Sequence, residues 1–228
     1  TAENLQRCAE LMELAPDAAS HDALMGGLTR AFQGRTIPPL PDSLARAVSA
    51  YQESLGNSGL VIGLQQRDEA SIERALQVLA DPQQDLGLRI ELARGLGETQ
   101  DPRAQGSLLK LACGGTSEPA LQRVALVAVR HFTDDTIARR IVSSMGGSIS
   151  AEHELRDTAC RTLAIRPSWA VELLNEINRW RLRPSDVPLD VVQQLRAYRD
   201  AKLSRLVDQA FGPQVTISNA DKERELQR

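Results

Sequence analysis

The feature that most constrains this 228-residue chain is one pattern written three times. A helical stretch with Leu88, Leu92, Ala93 and Leu96 recurs about 33 residues on as Leu121, Ala125, Leu126 and Val129. About 34 residues further it recurs as Leu155, Ala159, Cys160 and Leu163. A second set interleaves with it: Ala75, Leu76 and Leu79, then Leu108, Leu109 and Ala112, then Ile141, Val142 and Met145. An acidic residue keeps the same stride, at Asp68, Asp101 and Asp134 or Asp135. Two short helices per repeat, each unable to bury its own apolar face, are stable only when neighbours stack. The pattern predicts an all-α chain, a right-handed αα-superhelix of about five or six helix pairs.

Composition agrees with that architecture and narrows the function. Only 3% of residues are aromatic, so the core must rest on Leu, Val, Ile and Ala, which suits close-packed helix pairs. The net charge is −3 and the pI about 5.7, so a nucleic-acid partner is not expected. No apolar run approaches the ~20 residues of a membrane span. Cys8, Cys113 and Cys160 lie far apart with no Cys-x-x-Cys spacing, which argues against a disulfide framework or a structural zinc. His21, His131 and His153 are dispersed, so no metal site is expected. Nucleophile-elbow, phosphate-loop and dinucleotide motifs are missing, and Gly146 to Ser150 reads as an interhelical turn. No catalytic residue and no cofactor is expected within this segment.

Along the chain, residues 1–34 read as an N-terminal helical hairpin. Its first helix carries Leu5, Cys8, Leu11, Met12 and Leu14; its second is capped by Ser20 and carries Leu24, Met25, Leu28 and Phe32. Residues 35–42 form a proline-rich linker that cannot be helical and sets the hairpin apart. Residues 43–211 hold the repeats. Their first helices carry Leu44, Val48 and Leu55 inward. The regular pairs fall at 69–80 with 85–97, 102–113 with 118–132, and 135–145 with 151–164. Gly97, Gly114-Gly115 and Gly146-Gly147 stand where helix stops are expected. Ser168 is the expected cap of the following helix. Residues 212–228 read as an extended polar connector. Thr1 at the start and a charged stretch at the end are expected of a segment cut from a longer protein.

The second helix of each pair normally lines the inner wall of such an array. Arg89, Arg94, Arg123, Arg130, Arg156 and Arg161 fall on those helices, with Glu91, Glu154 and Asp157 among them. These residues form either a solvated face with Arg–acid pairs between repeats or a groove for an acidic peptide or another domain. A second cluster, Arg179, Trp180, Arg181 and Arg183, falls between two late helices. Either Trp180 buries its ring against the last repeat, or it stacks on a partner with the arginines. Trp169 reads as a wedge between helices.

The middle of the chain resembles the HEAT-repeat family, close to the armadillo type. It shares the period, an Arg near the start of the second helix (Arg89 and Arg156, with Gln122 departing) and the Asp101-Pro102 turn. That resemblance covers roughly residues 58–180 and implies protein interaction or scaffolding. A narrower resemblance rests on Arg7 to Pro16, Gly34 to Pro41, Val187 to Arg196, Phe211-Gly212 and Ala220 to Glu223. These runs look like the HEAT region of large planctomycete multidomain proteins. In that family a membrane-bound-dehydrogenase-like domain comes first and a c-type haem domain with Cys-x-x-Cys-His closes the chain. The resemblance implies a spacer within an exported, haem-containing redox protein. Cys-x-x-Cys-His does not occur in these residues, so the haem would belong to another domain of the parent.

The expected function is a non-catalytic scaffold or interdomain spacer, whose partners are other domains of its own parent chain. The alternative is a standalone protein or peptide adaptor using an arginine-lined concave face: Arg94, Arg123, Arg130, Arg156 and Arg161, with Arg179, Trp180 and Arg181. A third reading is a HEAT-like lyase or DNA glycosylase in which Trp169 or Trp180 acts with Asp157; the acidic balance weighs against it.

Overall fold

A computed structural model describes residues 2–32, 38–115 and 118–213. Among the described residues there are thirteen α-helices and no strand. They divide into two compact units, the first reaching Thr133 and the second beginning at Asp134.

The first unit holds α1 (Ala2–Glu13), α2 (Ala18–Ala31), α3 (Asp42–Leu55), α4 (Leu60–Gln66), α5 (Glu69–Ala80), α6 (Leu86–Thr99), α7 (Pro102–Cys113) and α8 (Pro119–Ala128). From α5 onward neighbouring helices pack in sequence, α5 on α6 and α7, α6 on α7 and α8, and α7 on α8. Most residues read as the repeated core are sealed: Leu92, Ala93 and Leu96 and their counterparts Ala125, Leu126 and Val129 have no exposed surface, whereas Leu76, Leu88, Leu109 and Met145 are half-buried. Burying a leucine in this way contributes about 1.5–3 kcal/mol.

The acidic stride has a local cause. Asp68 accepts from the Ser71 backbone N–H at 2.8 Å and Asp101 from that of Arg103 at 2.9 Å, each capping the first helix of a pair. Arg67 and Gln100, the residues before them, both sit in the left-handed region (φ 58° and 56°) and end α4 and α6. In the second unit Asp134 accepts from Thr136 N–H at 2.8 Å.

The second unit holds α9 (Thr136–Ser144), α10 (Leu155–Leu163), α11 (Pro167–Asn178), α12 (Leu189–Ala197) and α13 (Ala201–Phe211). Here α11 packs on α9, α10 and α13, and α12 on α13. Cys160, Leu163, Trp169 and Leu174 are fully buried. Arg166 lies over the Trp169 ring at 5.4 Å.

Several local expectations are corrected. Asp17, not Ser20, caps α2, accepting from the Ser20 backbone at 2.8 Å. The Ser168 hydroxyl donates to Asp135 at 2.7 Å and does not cap α11, which starts after Arg166. Gly97 is not a stop. It lies inside α6, where an added Cβ would come within 2.8 Å of the Ala128 Cβ and 2.9 Å of the Ala128 carbonyl oxygen. The space is needed because α6 and α8 approach closely at this point. Gly115 and Gly146 do take positive φ after α7 and α9.

Leu11 and Leu14 are 52% and 77% exposed, so the apolar face of α1 is narrower than its spacing suggests. α1 packs on α3. One apolar cluster joins Leu5, Met12, Met25, Leu28, Leu44 and Val48, drawing on helices from both sides of the proline segment. Residues 33–37, at the end of the hairpin and the start of the proline segment, the Leu55 side chain and residues 214–228 of the expected connector lie outside the described residues.

Candidate interaction surfaces

In the first unit Arg94 is exposed on α6, Arg123 on α8, and Arg130 in the 3-10 turn Val129–His131 that follows α8. Helices α6 and α8 are neighbours, but these arginines do not share one register. Counted by the repeat stride, Arg94 corresponds to Val127 and then to Arg161, while Arg123 corresponds to Ile90 and Asp157. A continuous arginine row is therefore not written into equivalent positions. Arg89, grouped by sequence with the inner-wall arginines, is buried, and its Nε donates to the Leu79 carbonyl at 3.1 Å. It belongs to the joint between α5 and α6.

In the second unit Arg156 and Arg161 are held by acids about 30 residues on, beyond α11. Arg156 on α10 reaches Asp186 at 3.3 Å with both side chains largely covered. Arg161 pairs with Asp190 at the start of α12 at 2.8 Å. This hydrogen bond raises the Arg161 pKa and holds the Asp190 carboxyl below its ordinary value. Such exposed pairs stabilise by about 1 kcal/mol or less.

The end of α11 brings three of the sequence-chosen residues together. Arg179 and Arg181 both pair with Glu176, at 3.5 Å and 2.6 Å. Trp180 stands between them, 84% exposed and at φ 60°. Of the two readings for this residue, burial against the last repeat is the one the structure excludes. Trp169 is the opposite case: fully buried, it offers no face to a substrate beside Asp157.

Sequence reasoning missed one feature. An apolar cavity of about 490 Å³ lies against α1 and α2, lined by Leu5, Cys8 and Leu11 on one side and Leu24, Gly27 and Leu28 on the other. The signal was Gly27, which stands with Leu24 and Leu28 on α2 and leaves a gap in that apolar stripe. Cys160 offers no reactive thiol: burial first, and the charge of Asp157 second, push its pKa up to about 12. Among the described residues no helix is long and apolar enough to cross a membrane, and no group of three or more His, Cys, Asp or Glu is placed to hold a metal ion. No protein-family model, curated protein or solved structure matches the chain.

Proposed function

We propose that this chain is a non-catalytic helical-repeat scaffold that binds other proteins or other domains of its own parent, built as a right-handed αα-superhelix of the HEAT type. One observation carries the reading: the polar chemistry of the repeats is spent on the joints. Asp68 and Asp101 cap helices, and Arg89 and Gln122 close helix ends. Such units act as a platform, and the side chains left outward do the recognising. Arg94 and Arg123 are outward on adjacent helices of the first unit, and Arg161 on the second.

The test is recovery of partners by the wild type and by an Arg94→Glu/Arg123→Glu/Arg161→Glu variant. Loss of the same partners from the variant supports the reading, and equal recovery removes the arginine faces from it. The narrower proposal, a spacer in a haem-containing redox protein, requires a Cys-x-x-Cys-His motif in the surrounding reading frame. A parent gene without that motif ends it.

A further inference from the structure

We propose that the turn from Glu176 to Asp186 is a docking tip for an acidic peptide segment of a partner protein, with Trp180 as its apolar anchor. The proposal deepens the interaction reading above and rests on it for the class of partner.

The backbone comes first. Helix α11 ends in a Schellman motif: Trp180 N–H donates to the Ile177 carbonyl at 2.9 Å and Arg181 N–H to the Glu176 carbonyl at 3.0 Å. The residue between the cap and the second bond must be left-handed, and glycine is the usual occupant. Here it is a tryptophan at φ 60°, a strained setting for a bulky side chain. Packing does not repay that strain, because the side chain is 84% exposed. An indole held in water on a strained backbone serves the fold poorly and a partner well.

The charge comes second. Glu176 lies beneath Arg179 and Arg181, and Asp186 takes Arg183 at 3.2 Å and Arg156 at 3.3 Å. Both carboxylates are largely covered, at 15% and 18% exposure. The side chains of Arg179, Arg181 and Arg183 stay 62%, 60% and 78% exposed. Arg156, Arg179, Arg181 and Arg183 against Glu176 and Asp186 leave two positive charges in excess among these ion pairs. The acids orient the forks and leave donors pointing outward. Carboxylates on either side of an apolar residue match this arrangement. A nucleic acid asks for a longer basic track and fits a chain of net charge −3 less well.

The probe is a fluorescently labelled, end-capped peptide of sequence Glu-Glu-Leu-Glu-Glu, set beside its lysine counterpart and a short oligothymidylate. Binding is read by anisotropy. The glutamate peptide is expected to bind, more weakly at about 300 mM than at about 50 mM salt, and the lysine peptide not to bind. Trp180→Gly places the preferred residue at the left-handed position. Its melting temperature is expected to equal or exceed that of the wild type, while peptide affinity falls roughly tenfold or more. Failure of the glutamate peptide to bind, equal binding by Trp180→Gly, or a lowered melting temperature in that variant overturns the proposal. So does tighter binding of the oligothymidylate, which assigns the tip to nucleic acid. If the peptide fails while the Arg94/Arg123/Arg161 variant still loses partners, the tip falls and the scaffold reading stands.

Discussion

Arg89 and Gln122, unlike in charge and shape, make the same hydrogen bond one repeat apart. Arg89 Nε donates to the Leu79 carbonyl at 3.1 Å, and Gln122 Nε2 donates to the Ala112 carbonyl at 3.0 Å. Each acceptor lies in the last turn of the preceding helix, where carbonyls have no partner within the helix. Each side chain is buried, so no water takes its place. Gln122→Leu strips the Ala112 carbonyl of this donor and is expected to cost about 1–3 kcal/mol. Gln122→Arg, which restores the donor of the neighbouring repeat, should cost less. The check is the urea midpoint of each variant; no shift for Gln122→Leu would show that the bond carries no net stability.

This joint shows what a sequence reveals and what it hides. Leu92, Leu126 and Cys160 were legible because apolar spacing alone places them inward. The stride of Asp68 and Asp101 was legible, but their role as helix caps is set by side-chain geometry that the stride alone does not state. Gln122 looked like a departure from the pattern, since identity and role part company when two side chains reach the same acceptor. Gly97 was misread because a glycine near a helix end serves equally as a stop or as a place of close approach, and only the position of Ala128 distinguishes them. The partners of Arg156 and Arg161 sit about 30 residues away, on elements whose approach no local spacing encodes. The exposure of Trp180 depends on where α11 ends, and its left-handed turn carried no glycine to announce it.

Two glycines inside helices should respond to alanine with opposite signs. Gly97→Ala gains helix propensity but drives a methyl against the Ala128 backbone, with 2.9 Å to the carbonyl oxygen. The neighbour is main chain and cannot swing aside, so a loss of about 1–3 kcal/mol is expected. Gly106 lies exposed in α7 with nothing within 4 Å of an added Cβ. Gly106→Ala should gain about 0.5–1 kcal/mol. Thermal or urea unfolding of the two variants decides it, and the same sign for both would refute the close approach of α6 and α8.

Acid should weaken the fold through its hydrogen-bonded carboxylates. Asp101 is held below its ordinary value of 3.8 chiefly by the Arg103 side chain, Asp81 by Gln84, and Asp190 by Arg161. A carboxyl whose folded pKa is depressed binds fewer protons than in the unfolded chain. Its contribution is present above 3.8 and is lost as the pH falls through the lower folded value. Urea midpoints should therefore hold steady down to about pH 5 and decline towards about pH 3. Asp101→Asn and Asp190→Asn should each flatten that decline. An unchanged slope in both variants would place the acid sensitivity elsewhere.

Cys160 and Cys8 should separate in a thiol-labelling experiment. Cys160 is sealed, and burial raises its pKa to about 12 from an ordinary 9.0. Above pH 9 the unfolded thiol ionises while the folded one stays protonated, so this residue makes stability fall as the pH rises through that range. Cys8 is half-buried beside the α1 and α2 cavity. At neutral pH Cys8 should label in the native protein, and Cys160 only at the rate of unfolding. Mass spectrometry of the labelled peptides reads both sites, and fast native labelling of Cys160 would contradict its burial.

The cavity beside α1 and α2 leaves room for a larger side chain at Gly27. Gly27 lines it from α2, and a Cβ added there meets nothing within 4 Å. Gly27→Ala removes the backbone freedom of a mid-helix glycine, a gain of about 1 kcal/mol, and adds apolar contact. Gly27→Leu extends a larger side chain into the same space and should gain further if about 490 Å³ is open. If the two helices instead close on each other, Gly27→Leu overpacks the contact and costs about 1–3 kcal/mol while Gly27→Ala stays near neutral. The sign of the leucine variant in a urea titration therefore reports the separation of the two helices directly.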